Sequence, residues 1–363
     1  EMETPISKTW SRINTNPNVE SKPIHVLVTG AAGQIGYNLL FLIAHGLMFG
    51  PNQSVYLHLY DIVVDMMTGV KMELEDGCFP LVKGIVASNE TSVFKDVEVA
   101  ILVAGMPRKV GMERKELIGI NTRIMKEQSL ALKQYANPNV RVLVVANPAN
   151  TNALVVANNS GIGVKQITCL TRLDQNRATA QIAAKIGVNV SAVNRALVWG
   201  NHSEKQCPDI SNATVDTPEG TKMVSDIVDE EWLKSFNKVV QERGAKVIEM
   251  RKASSAGSAA KAIVDHFRDW CMGTDKKKIV CMGVYSEGQY GIPKGIFFSM
   301  PVVCYDGEYH VVDNLNLSDH IKEMLQNSEN ELLEEKKLEE AYEEITQNTN
   351  VHDRSEERRV GKE

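Results

Sequence analysis

A β-rich run, Ile24 to Thr29, breaks into Gly30-Ala-Ala-Gly33-Gln-Ile-Gly36 and then into an apolar helical period that lasts to about Gly46. Glycines at 30, 33 and 36 stand where a tight turn, a close backbone approach and helix packing want residues without Cβ. The rest of the first half repeats the alternation. Residues 54–61, 97–105 and 140–147 read as further β-rich runs, and 33–46 and 116–136 read as helical stretches. Such alternation is the signature of βαβ units, and it predicts an α/β chain built on a doubly wound parallel sheet.

Past about residue 171 the order changes. Helical periods at 173–186, 229–252 and 257–270 are followed by strand-like runs at 278–286 and 295–305. That predicts an α+β second lobe, in keeping with 363 residues, more than one hydrophobic core usually serves. A last helix, 318–346, carries Met324, Leu325, Leu332, Leu338, Tyr342 and Ile345 on one stripe and should lie over the body.

Charge narrows the partners. With 40 basic and 46 acidic residues the net charge is −6, which gives no field that draws nucleic acid or an anionic membrane. No run approaches the roughly 18 apolar residues of a membrane span. The six cysteines are scattered singly, without C-x-x-C pairs or zinc spacing, so they read as reduced thiols and no metal is expected. A small-molecule partner remains.

The glycine turn opens a helix, so a pyrophosphate would sit on that helix N-terminus. Its spacing is G-x-x-G-x-x-G rather than the generic G-x-G-x-x-G, and a glycine-rich turn without a ligand is the alternative. Asp61 ends the second run, where a carboxylate can accept from both ribose hydroxyls of an adenosine and repel a 2′-phosphate; the alternative is a helix cap. Together they favour NAD over NADP and make the first lobe a Rossmann-type domain.

Three further stretches supply chemistry. The loop "GMPRKVGMERKE" puts Arg108 and Arg114 after a strand, where solvated arginines are common. In "LTRLDQNRA", Asp174 and Arg177 share a helix face, either as an i,i+3 ion pair or with separate partners. "VWGNHS" ends a strand at His202, a structural hydrogen-bonder in the bland reading. Taken together they form one machine. Histidine can exchange a hydroxyl proton near neutral pH, Asp174 can orient and stabilise its imidazolium, and the guanidiniums can hold a dicarboxylate.

The motifs "VTGAAGQIGYNLLF", "MPRKVGMERKEL", "NPANTNAL", "LTRLDQNRA", "VWGNHS" and "SSAGSAAKAI" resemble those of the lactate/malate dehydrogenase family, in its cytosolic malate-type branch, from about residue 24 to about residue 345. The resemblance implies reversible oxidation of (S)-malate to oxaloacetate with NAD, a cytoplasmic location and a homodimer. His202 and Asp174 would be catalytic. Arg108, Arg114, Asn147 and Arg177 would bind substrate. Gly30, Gly33, Gln34, Ile35, Gly36, Asp61, Asn121, Gln128, Val145, Asn147 and Ser255 would bind the cofactor, although Ser254 is adjacent and cannot be separated from Ser255 by sequence. Arg108 stands where lactate-type members carry an uncharged residue, and an unpaired second carboxylate would be costly to bury. A dehydrogenase for another 2-hydroxy acid and a silent NAD-binding protein are the competing readings.

The expected domains are a flexible extension over 1–23, an NAD-binding domain over 24–171, a substrate domain over 172–348 and a disordered charged tail over 349–363. Three positions depart from the family pattern. Gly36 in place of alanine should be harmless. Ala146 adds a methyl near the nicotinamide, and Gly257 should loosen its helix by up to ~1 kcal/mol.

Overall fold

The computed structural model describes residues 9–107, 114–275 and 278–360, with side chains described to residue 343 and that of Arg114 excepted. The first half follows the predicted alternation. It runs β1 (Ile24–Thr29), α1 (Gln34–Ala44), β2 (Val55–Tyr60), α2 (Val64–Asp76), β3 (Val82–Ser88), β4 (Val99–Leu102), α3 (Arg114–Tyr135), β5 (Arg141–Val144), α4 (Ala149–Ser160) and β6 (Ile167–Cys169). All five pairings among these six strands are parallel, in the order β3-β2-β1-β4-β5-β6. The order reverses between β1 and β4, and the crevice above their C-terminal ends is where such sheets bind ligands.

The second half holds α5 (Arg172–Ile186), β7 (Val193–Asn194), β8 (Leu197–Trp199), β9 (Cys207–Asp209), β10 (Thr214–Thr217), β11 (Gly220–Met223), α6 (Glu230–Gln241), α7 (Arg243–Arg251) and α8 (Gly257–Met272). It ends with β12 (Val280–Tyr285), β13 (Phe297–Tyr305), β14 (Glu308–Val311) and α9 (Asp319–Val360). Strands β12 to β14 do not form a separate sheet. They extend the first one antiparallel beyond β6, giving nine strands, while β7, β10 and β11 form a small sheet and β8 pairs with β9. One face of the shared sheet carries Leu143, Met282 and Phe298 in a core that runs under both halves, the other carries Val142, Val144 and Phe297, and a third cluster around Ile182, Val215 and Phe236 packs the small sheet.

Three expectations meet a different outcome. The single helix over 229–252 is two, α6 and α7, broken at Glu242, and the break lays Gly244 against the Arg177 guanidinium. Of the segment expected to be flexible, residues 9–23 are docked. Trp10 N–H donates to the Cys271 carbonyl at 2.6 Å, its ring lies 3.9 Å from the Arg141 guanidinium, and Arg12 pairs with Glu98 at 2.7 Å. Polar composition concealed these anchors because one aromatic, one cation and the buried Ile13 suffice to hold a short strap. The last helix runs on to Val360, past residue 348 where a disordered tail was expected.

Candidate active site

A groove of about 690 Å³ opens above β1 and β4, within the roughly 300–1,000 Å³ of small-ligand sites. Gly30, Gly33, Gln34, Ile35, Asp61, Gln128 and Ser255 all line it. Gly30 takes φ 69°, and a Cβ there would stand 3.0 Å from Ala104 N, so the β1 turn can pass under β4 only as glycine. Gly36 lies behind the turn. A Cβ on it would be 2.5 Å from the Gly30 carbonyl oxygen and 2.9 Å from Ala31 Cα, so the backbone as it stands fits glycine.

Asp61 serves the turn as well as the groove. Its Oδ2 accepts from Ala32 N–H and its Oδ1 from Val63 N–H, both at 2.9 Å, and each oxygen keeps further acceptor capacity. Gln128 leaves its Oε1 buried without a partner among the described residues. A cradle of glycines, a carboxylate beyond it and an orphaned amide oxygen in the wall fit a dinucleotide.

Asn121, like Gly36, Val145 and Asn147, does not line the groove. Fully buried, it accepts from Met106 N–H at 2.7 Å and donates to the Met106 and Asn147 carbonyls at 3.1 and 2.7 Å. It staples the loop after β4 to the end of β5. At that strand end Val145 N–H continues the ladder to Leu102 O, and Asn147 is exposed. The extra methyl of Ala146 is buried against Gly105, where a Cβ would come within 2.9 Å of it. Gly257 opens α8 with nothing near its Cβ direction, so the cost of an interior glycine does not apply in full.

His202 and Asp174 do not line the groove. His202 Nδ1 is 2.5 Å from Asp174 Oδ2, and Asp174, on the first turn of α5, is fully buried. The carboxylate only accepts, so Nδ1 carries the proton and the Nε2 lone pair is left for a substrate. Burial opposes the charged ring, but the charge and hydrogen bond of Asp174 outweigh it, and the pKa of His202 rises above the ordinary imidazole value; Arg177 pulls the other way. The other oxygen of Asp174 is 3.6 Å from Arg177 Nη1. The i,i+3 pair and the contact of Asp174 with His202 therefore coexist.

Arg177 Nη2 in turn donates to Ser255 Oγ at 3.1 Å. Ser254, which also lines the groove, offers its backbone carbonyl to Arg251 instead, so the two serines differ in which arginine they meet. Ser255 also lines the groove, so groove, serine, guanidinium, carboxylate and imidazole form one connected series. Arg108 lies outside the described residues, as does the side chain of Arg114.

Sequence reasoning missed the support of His202. Asn150, inside the motif "NPANTNAL", accepts from His202 N–H at 3.0 Å and donates to the Gly200 and Phe297 carbonyls. The asparagine-rich run was the available signal, but which asparagine faces the turn depends on how α4 packs.

Residues 24–169 match the NAD-binding domain model of lactate/malate dehydrogenases, and residues 171–343 match the alpha/beta C-terminal domain model of the same enzymes. The chain is 50% identical over 323 residues to a cytoplasmic malate dehydrogenase of Beta vulgaris, across 87% of this chain and 97% of that one. Over 322 residues it is 49% identical to the cytoplasmic malate dehydrogenase of Medicago sativa, across 87% and 97%. Among solved structures, malate dehydrogenase from Naegleria fowleri matches with TM-score 0.84 and 43% identity, covering 89% of this chain and 99% of that one. A Trichomonas vaginalis lactate dehydrogenase in complex with NADH and oxamate matches with TM-score 0.84 and 38% identity, covering 88% and 98%.

Proposed function

The chain belongs to the lactate/malate dehydrogenase family, and on that footing we propose that it is an NAD-dependent malate dehydrogenase interconverting (S)-malate and oxaloacetate. One observation carries the reading. Asp174 bridges His202 and Arg177, and Arg177 reaches Ser255 in the wall of the dinucleotide groove.

The residues divide the work. His202 Nε2 takes the C2 hydroxyl proton during oxidation and returns it during reduction, while Asp174 holds the tautomer and stabilises the imidazolium. Arg177 forks onto one substrate carboxylate beside Asn147, and Arg108 and Arg114 grip the other. Gly30, Gly33, Gln34, Ile35, Gly36, Asp61, Gln128, Val145 and Ser255 hold the cofactor, with Asn121 shaping the wall behind it. Bound NAD supplies the acceptor for the hydride that leaves C2. Asp61 disfavours a 2′-phosphate by charge. We assign residues 24–171 to the cofactor domain and 172–348 to the substrate domain, place the protein in the cytoplasm like the relatives so named, and take it to be a homodimer.

The test is NADH oxidation by purified protein on oxaloacetate and on pyruvate. Oxaloacetate should win by about 10²-fold or more in kcat/KM, because Arg108 would be left unpaired by pyruvate. Faster turnover of pyruvate would reassign the chain to the lactate side, and no turnover of any 2-oxo acid would end the dehydrogenase reading. Light scattering at about twice the chain mass tests the dimer.

A further inference from the structure

The turn that carries His202 is gripped by a helix with no part in the proposed chemistry. Gly200, at φ 92°, exchanges two hydrogen bonds with Ser299 on β13, and Asn150 holds it from α4. The outer side belongs to α9. Ser328 Oγ accepts from Asn201 N–H at 2.6 Å, and a Cβ at position 200 would fall 2.1 Å from that oxygen, so glycine is what admits the helix. Asn201 Nδ2 donates to Glu331 Oε2 at 2.8 Å and to Glu335 Oε1 at 3.0 Å. The hydroxyls of Ser203 and Thr151 donate to Glu331 and Glu335.

This is a costly way to seat a helix. Glu335 is 1% exposed, and two carboxylates one turn apart converge on a single amide. Carboxylates accept only, so they fix which way Asn201 faces, and its Oδ1 is left buried with no partner among the described residues. Where α9 has only apolar surface to cover it uses Leu325 and Leu332, both buried. The polar grip falls on the two neighbours of His202.

We propose that Glu335, together with Glu331, is a positioning residue for His202: by holding Asn201 against Thr151 on α4, α9 sets the reach of the imidazole toward Asp174 and substrate. The proposal deepens the dehydrogenase reading and rests on it for the identity of the substrate. Among the described residues the charged groups around the ring are Asp174 and Arg177 on α5, with Glu331 and Glu335 behind Asn201.

Three variants separate position from charge. E335Q keeps shape and an acceptor for Asn201 but drops the charge; E335D keeps the charge but withdraws it by a methylene; E335A removes both. If position matters, E335Q stays near wild type. E335D and E335A should then lose roughly tenfold to hundredfold in kcat on oxaloacetate, with KM for NADH held within about twofold. NMR titration of the His202 ring, identified among the eight histidines by its loss in H202Q, reads the same geometry without turnover. In E335D and E335A it should titrate closer to the unperturbed value of about 6.5 than in wild type, and in E335Q it should not move. The opposite order, E335D normal and E335Q impaired, or a His202 titration unmoved in every variant, overturns the proposal. If wild-type protein turns over no 2-oxo acid, the dehydrogenase reading fails, and the NMR arm still decides whether α9 positions the ring. E335Q is isosteric with glutamate and E335D differs by one methylene, so the test survives if E335A does not fold.

Discussion

Replacing Asp174 by asparagine barely changes volume and removes one charge at a position with no solvent exposure. The carboxylate stands 2.5 Å from His202 Nδ1 and 3.6 Å from Arg177 Nη1, so the imidazole and the guanidinium share it. At an effective dielectric of about 20, a charge pair about 4 Å apart is worth about 4 kcal/mol, which is about three powers of ten in rate if the whole of it acts on the forming imidazolium. An asparagine amide can also donate to Nδ1, which moves the ring proton to Nε2, the atom that has to accept. We expect kcat/KM for oxaloacetate to fall between about 10²-fold and 10⁴-fold.

The pH profile gives an independent reading. Burial opposes the charged ring and Asp174 more than offsets it; in D174N the burial and the Arg177 charge remain. The His202 pKa should then drop below its wild-type value, toward or under about 6.5. Reduction needs the protonated ring, so its basic limb moves to lower pH, and the acid limb of malate oxidation moves the same way. Stability follows the same sign: a raised folded pKa stabilises fully below about pH 6.5 and loses that contribution as pH climbs through the raised value, so the histidine-linked gap between wild type and D174N narrows there. The assay is NADH absorbance in both directions from about pH 5 to about pH 9. A loss under about tenfold with both limbs in place would refute the coupling of carboxylate and imidazole.

Other substitutions test other parts of the structure. G200A should cost at least about 2 kcal/mol in denaturant unfolding, since its Cβ would meet Ser328 Oγ at 2.1 Å on a residue with positive φ; a smaller loss would mean that α9 can move aside. G36A should weaken NADH binding, read by fluorescence quenching, because its methyl would push on the Gly30 carbonyl from 2.5 Å; unchanged affinity would show that the turn yields. Glu339 is 1% exposed, and burial, with Glu343 and Glu340 adding to it, raises its pKa to about 7 from 4.5. Ionising it costs folding energy that grows between those two values and is constant above, so E339Q should stabilise the protein by about 1–3 kcal/mol at pH 8 and by nearly nothing near pH 4. R108Q should cut oxaloacetate turnover far more than pyruvate turnover, and equal losses on both would count against a clamp at that position.

Local pattern carried much of this protein. The βαβ alternation, the glycine turn and Asp61 were legible because each element's signal lies within about ten residues of chain, at the period of a strand or helix. His202, Asp174 and Arg177 could be picked out singly for the same reason. Other features were hidden because their cause is remote. The anchoring of residues 9–23 depends on Trp10 finding Arg141, and the role of Asn121 depends on where Met106 and Asn147 end up. Likewise Glu242, where α6 and α7 part, is no breaker residue, and Gly244 two positions on lies against the Arg177 guanidinium of a helix remote in sequence.

What the sequence determined alone is the chemistry available: a turn without side chains for a pyrophosphate, a carboxylate for a ribose, an imidazole, and guanidiniums for a diacid. These are properties of residue types at short spacings, and they hold before the chain has folded. Only the tertiary structure decided that Asp174 serves His202 and Arg177 together, that Ser255 rather than Ser254 meets the guanidinium, and that α9 grips the catalytic turn. Apart from the i,i+3 pair of Asp174 with Arg177, those contacts join residues 28 to 134 positions apart, and a hydrogen bond is decided within a few tenths of an ångström by packing that no local pattern encodes.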